Sequence, residues 1–406
     1  MESRATPTPT RWPARRRLQH ARAQWPVFVI DATGGAHTVG LLKALGEHDY
    51  WFDGATRALD QFSSGLPFFL QDLWPQGFMG RALPGRFPEL GLPPRVGAWN
   101  EAHALTFLTR RGEDSMGNLL LGEESLTRYF QQPRGENAAI DTGDRPTQYP
   151  ALAEAALAGC PPGSSAGGEQ PKFTAVVRNS NSVHHVLVKF SPTGNDRGAR
   201  RWRDLLVAEH LATGALRSLG ISAANTELVE SGGRLFLESR RFDRFRARGR
   251  VGIVSLAAVA DQYVGHRNGW SAAAADLTAL GRISRRDACA IERAVLFGRL
   301  IGNTDMHFGN LSFFFSPGRG LRLAPLYDML PMMYAPSVAK VPDLESLEVS
   351  FEGLSPRVSC GNVVDPYLSV AACAQDYWRQ VAEYPLVSDE FRSRALCNSD
   401  AIRPAS

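Results

Sequence analysis

The 406-residue chain has no uninterrupted apolar run of membrane-spanning length and no signal-peptide pattern at its start. Neither a helical membrane protein nor a secreted one is therefore expected. Cysteine is scarce: five residues, scattered, odd in number and without CxxC spacing. That argues against a zinc site and fits free thiols in a reducing cytoplasm. Lysine is scarcer still. Arginine carries nearly all the positive charge, and only Lys43, Lys172, Lys189 and Lys340 stand beside it. Each lysine is worth inspecting, because an arginine does not always replace a compact ammonium on a phosphate. The net charge of +4 is small for the length and says little about nucleic acid. What is present is ordinary for a soluble globular protein: 44% apolar and 21% charged residues, enough for two or three domains with sizeable cores.

Residues 1–24 are rich in Pro, Thr and Arg and read as a solvated basic tail, with contact to nucleic acid as the alternative. From Trp25 the pattern becomes strand-like, and aromatic residues crowd the segment 66–83. Asn100 is placed to cap a helix that stops at Gly112, while Glu113 and Asp114 read as surface or capping residues. Residues 133–150 read as a linker. A loop rich in Gly and Ser follows a short helix, runs to Lys172 and leads into a hairpin whose second strand carries Lys189. The stretch after Asp196 is an amphipathic helix with Leu205, Ala208, Glu209, Ala212 and Leu216 on one face. An acid on that stripe needs a cation, and Lys189 is the natural partner.

The stretch from Arg299 to Asp328 carries three oxygen-bearing groups: Asp305, Asn310 five residues on, and Asp328 eighteen beyond. The apolar runs between the last two, split by a Pro-Gly turn, predict a hairpin that returns Asp328 towards Asn310. An Asp, an Asn and a second Asp converging make a hard donor set suited to Mg²⁺, and phosphoryl transfer needs such a set. On spacing alone, turn capping remains the other reading. The order of parts is a glycine loop, a strand lysine, a helix glutamate, a hairpin, then D-x4-N and a later Asp. It is the order of a protein-kinase-like enzyme, without GxGxxG, HRD or DFG.

The strings SAGGEQPKF (165–173), VLVKF (186–190), RRFDR (240–244), IGNTDMHFGN (301–310) and LYDMLP (326–331) resemble the HipA family of bacterial serine/threonine kinase toxins. The GEQPKF form and LPFFLQDLWPQGF look most like its YjjJ (HipH) branch. The resemblance implies an α+β, bilobal protein-kinase-like fold of HipA type. Its parts would be a tail (1–24), an N-terminal subdomain (25–132), a kinase N-lobe (133–245) and a helical C-lobe (246–406). Members of the branch often begin with a winged helix, for which the tail is expected to be too short.

By the same resemblance the chain is an Mg²⁺- and ATP-dependent, type II toxin-like kinase. Asp305 matches the catalytic aspartate, and Asn310 and Asp328 the metal ligands. Gly167, Gly168 and Lys172 belong to the phosphate loop, Lys189 reaches the phosphates with Glu209 behind it, and the backbone from Ser239 through Arg240 to Phe242 lies beside adenine. Ser165, with Ser164 as its neighbour, matches the autophosphorylated serine. The implied partners are a protein substrate such as an aminoacyl-tRNA synthetase and a HipB-like DNA-binding antitoxin. The rivals are a catalytically silent kinase-like regulator and a nucleic-acid-binding protein of a toxin–antitoxin locus. His307 is expected to make a structural hydrogen bond.

Overall fold

The computed structural model describes residues 21–56, 59–132, 139–159, 170–180, 182–337, 341–344, 349 and 366–402. The loop carrying Ser164, Ser165, Gly167 and Gly168, and the tail before residue 21, lie outside them.

Alternating apolar residues first build an antiparallel sheet from β1 (Ala23–Ile30), β2 (Ala36–Ala44), β3 (Asp49–Gly54), β4 (Gln61–Ser64) and β5 (Leu119–Leu121), in the order β4-β3-β2-β1-β5. The first strand thus begins two residues before Trp25. One face is covered by the helix Glu101–Arg111, which Asn100 caps by accepting from the His103 N–H. Glu113 and Asp114, expected as surface or capping residues, are half-buried and take part in contacts with distant arginines. The Glu113 carbonyl accepts from Arg250, and Asp114 pairs with the buried Arg244.

A second sheet runs β6-β7-β8-β10-β9, from β6 (Ile140–Asp141), β7 (Lys172–Asn179), β8 (Ser182–Phe190), β9 (Thr226–Ser231) and β10 (Arg234–Arg240). Residues 133–150 are not a plain linker: β6 joins this sheet, and a helix starts at Arg145 and runs to Leu157. Pro146 sits in its first turn, where no N–H is needed. Pro150 cannot donate to the Pro146 carbonyl, and the Ser231 hydroxyl supplies that bond instead.

The long helix Arg197–Ser218 packs behind the second sheet, capped by Asp196, and buries all five residues of its apolar stripe. The rest is largely helical: Leu256–Tyr263, Trp270–Ala279, Arg285–Leu300, Pro366–Glu383 and Asp389–Ala401. Two small sheets complete it, β11 (Arg244–Phe245) with β12 (Gly249–Arg250), and β13 (Ile253–Ser255) with β14 (Ser312–Phe314) and β15 (Arg322–Leu323). The expected hairpin between Asn310 and Asp328 is therefore β14–β15. Among the described residues no helix is long and apolar enough to cross a membrane.

The last helix is tied to the long one. Asp204 accepts from the Ser388 N–H and hydroxyl at 2.8 and 2.7 Å, with Arg201 and Glu390 also facing it. Burial pushes the Asp204 carboxyl up to about 6. A raised value favours the neutral acid in the fold. This group's contribution is therefore full below the unfolded value of about 3.9 and is lost as pH rises through about 6. Asp204→Asn should gain on the wild type across that window, by roughly 2 kcal/mol at neutral pH. Urea unfolding at a series of pH values measures this; a pH-independent difference between the two proteins would refute it.

Candidate functional site

The antiparallel register of β7 and β8 sets Lys172 directly opposite Lys189, so both side chains leave the sheet on one face. Both are buried, at 2 and 5% exposure, and two ammonium groups there require acid partners. The long helix supplies one: Lys189 Nζ donates to both oxygens of Glu209, at 2.7 and 2.8 Å. Asp328 supplies the other, accepting from Lys189 through Oδ1. Burial opposes a charged Lys189, but Asp328 and Glu209 outweigh it and hold its value above that of a free lysine. Burial would raise Asp328 too, yet Lys189 and Lys172 outweigh it and keep that carboxyl below the usual range. Glu209 is raised, because Lys189 only partly offsets its burial.

Asp328 reaches this position with a left-handed backbone, φ 54°, which an L-residue adopts only where its surroundings impose it. The surroundings are visible. Leu326 is fixed by a parallel bridge to Ala223, and Asn303 Nδ2 approaches the Asp328 carbonyl at 3.5 Å. Asn303 braces the candidate site and was passed over in the sequence, although it lies inside the IGNTDMHFGN string. Its Oδ1 accepts from the Asp305 N–H at 3.0 Å, so one buried side chain ties the Asp305 turn to the Asp328 turn.

Asp305 is exposed, and the bonds that hold its turn run through its backbone. Its carbonyl accepts from the His307 N–H and from Asn310 Nδ2, at 2.8 and 3.0 Å. The second bond decides the orientation of the Asn310 amide: the NH₂ faces the carbonyl, which leaves Oδ1 for a cation. His307 accepts from the Gly309 N–H through Nδ1 at 3.0 Å. A Cβ at position 309 would meet the His307 ring at 2.9 Å, so a larger residue there would push the ring away from its bond to the Gly309 N–H. Tyr327 donates to the Gly309 carbonyl at 2.9 Å and meets Ser312 at 2.7 Å, bracing the same turn from below.

Two adjoining cavities, of about 200 and 280 Å³, share Lys172, Lys189, His307, Asn310 and Asp328. The larger contains Asp305, beside Trp202, Phe190 and Met332. The smaller runs along Ser239–Asp243 and is floored by Tyr327. Phe242 lies against the Tyr327 ring, centroids 5.8 Å apart. The N–H groups of Arg240 and Arg241 are bonded to the carbonyls of Asn225 and His185, so those two donors are not open to a base. The Arg240 side chain is exposed.

Asn310, Asp328 and the two lysines of the cavities offer the hard oxygens and cations that Mg²⁺ and a polyphosphate need. Mg²⁺ usually takes only one or two carboxylates from protein, with phosphates and water completing its shell. The donor set therefore fits the ion without a larger acidic cluster.

Residues 21–130 match the family described as YjjJ-like toxin, middle domain, and residues 164–380 match the HipA-like C-terminal domain. The Escherichia coli (strain K12) protein named Toxin YjjJ is 37% identical over 382 residues, 93% of this chain and 84% of that protein. The chain belongs to the YjjJ-like branch of the HipA toxin family. Its fold is also similar to a structure of the Shewanella oneidensis MR-1 toxin–antitoxin system HipA, HipB and its operator DNA. The TM-score is 0.51 and the identity 16%, over 93% of this chain and 96% of that one. The fold class expected from the sequence, a kinase-like α+β fold of HipA type, is the one found.

Proposed function

We propose that the chain is an Mg²⁺- and ATP-dependent protein serine/threonine kinase. The observation that carries the reading is Lys189, bonded at once to Glu209 and Asp328 in a cavity that it shares with Asn310 and that adjoins Asp305. In this reading Lys189 and Lys172 take phosphate oxygens. Asn310 Oδ1 and Asp328 hold Mg²⁺, which neutralises charge on the phosphates. Asp305, exposed at the mouth of the cavity, orients the incoming hydroxyl and accepts its proton.

The nucleoside lies along Ser239–Phe242. Ser165 or Ser164, in the glycine loop with Gly167 and Gly168, is the autophosphorylated residue; adding roughly two negative charges there repels nucleotide phosphates from the pocket. Membership of a toxin family supports a translation component, such as an aminoacyl-tRNA synthetase, as substrate. The similar HipA structure, solved with HipB and operator DNA, supports a HipB-like antitoxin as partner.

Phosphoproteomics of cells expressing the wild type or Asp305→Asn tests the reading. Phosphoserine or phosphothreonine sites on the chain itself and on a target should accumulate only with the wild type. Identical phosphoproteomes would leave the silent kinase-like regulator as the better account.

A further inference from the structure

None of the site residues named above comes from residues 21–130, yet this region forms part of the wall of the smaller cavity. Asp72, Gln76 and Met116 all line it, and all belong to the N-terminal subdomain. The groups that face phosphate lie where the two cavities meet. These three residues line only the smaller cavity, which Asp305 does not border, and they share it with Ser239–Asp243. They are therefore at the nucleoside end.

Asp72 is the polar residue of chemical interest there. It follows the short helix Phe68–Gln71, and its carboxylate accepts from Ser255 through both oxygens: Oδ2 from the N–H at 2.5 Å and Oδ1 from the hydroxyl at 2.7 Å. Each carboxylate oxygen has two acceptor positions, so these bonds leave capacity on both.

The subdomain is also fixed against the rest of the chain, as a binding wall must be. Phe68 packs edge-on against Tyr263 and Phe315, at 5.5 and 5.6 Å, and Phe69 stacks on Phe315 at 5.9 Å. The turn bearing Met116 is pinned from the other side. Gly117 donates to Asp243 at 2.9 Å, and Arg244 donates to the carbonyls of Ser115 and Gly117 at 2.7 and 2.9 Å.

We infer that Asp72, contributed by the N-terminal subdomain, is a nucleotide-binding residue that accepts a hydrogen bond from an N–H or O–H donor of the bound nucleoside. The inference rests on the nucleotide reading of the cleft. The donor is a ribose hydroxyl or an exocyclic base amine, and both present the same chemistry to a carboxylate. The structural alternative is a strap: Ser255 caps the helix Leu256–Tyr263, and Asp72 steadies Ser255. A strap changes stability but does not change which nucleotide is preferred.

Titration calorimetry on the full chain with Mg²⁺ separates the two. The nucleotides are ATP, 2′-deoxy-ATP, 3′-deoxy-ATP and purine riboside triphosphate, which lacks the exocyclic amine. The proteins are the wild type and Asp72→Ala, with Asp72→Asn as the variant that retains shape should alanine fail to fold. The wild type should prefer ATP over at least one analogue by about 10- to 100-fold, the ratio that a hydrogen bond to a charged group supports. That preference should vanish in Asp72→Ala and shrink in Asp72→Asn, and the analogue concerned names the donor. Equal weakening of all four nucleotides, or wild-type preferences retained in the variants, would overturn the assignment while leaving the kinase reading in place. No ATP binding by the wild type would remove the nucleotide reading itself, and this assignment with it.

Discussion

Asp305→Asn is expected to slow phosphoryl transfer by about 10²- to 10⁴-fold, the range for loss of a positioned acid–base group. Its unfolding free energy should stay within about 0.5 kcal/mol of the wild type. The two halves of the expectation have separate causes. Asp305 is exposed, and its turn is held through its backbone N–H and carbonyl. An amide side chain disturbs none of them. It cannot accept a proton from a hydroxyl, however, and it presents no negative charge to orient one.

Asn303→Ala makes the useful contrast. It removes the acceptor for the Asp305 N–H and loosens the link to Asp328, so stability should fall by about 1–3 kcal/mol while the side chain of Asp305 remains. Single-turnover transfer from labelled ATP, run beside urea unfolding, places each variant. A wild-type rate in Asp305→Asn would remove that residue from the chemistry.

The elements that announced themselves in the sequence are those whose physics is local. The Gly232-Gly233 turn marks the β9–β10 hairpin, and both glycines sit at positive φ. Glu209 stood out as an acid on an apolar stripe, and the stripe is buried as its spacing required. The Lys189–Glu209 pair followed from that, because a buried acid demands a cation and lysines are few.

What the sequence hid is held together by contacts between distant segments. Asp72 finds Ser255 across 183 positions and Asp114 finds Arg244 across 130, and nothing in either neighbourhood signals the partner. The start of the Arg145–Leu157 helix, whose second half is the short helix expected from the sequence, was hidden for a different reason. Two prolines in its first two turns read as breakers, and only Ser231, 85 positions away, shows how the orphaned carbonyl is satisfied. Asn303 was hidden in plain view. Its string was noticed, but a buried amide that braces two turns looks the same in sequence as one that caps a loop.

Lys189→Met is expected to lose about 3–5 kcal/mol of stability and Mg²⁺–ATP binding together, and the two losses can be uncoupled. The stability falls because Glu209, 3% exposed, and the partly buried Asp328 are left with their shared cation gone, and removing one partner of a buried pair costs about that much. Lys172 faces the same cavity and limits the damage without replacing the bonds.

Replacing the pair by apolar side chains of similar size removes the stranded acid on the helix. Lys189→Met combined with Glu209→Leu should therefore recover most of the lost stability, as buried pairs exchanged for well-packed apolar groups commonly do. Binding should not recover, since a methionine offers nothing to a phosphate oxygen. Urea unfolding and calorimetric titration of Mg²⁺–ATP on the four proteins of this cycle read the two quantities separately. A double variant no more stable than Lys189→Met would show that the Glu209 charge is not what that substitution strands. Tight Mg²⁺–ATP binding by either Lys189 variant would move the phosphate contact to Lys172, the other lysine that the register of β7 and β8 delivers to the same face.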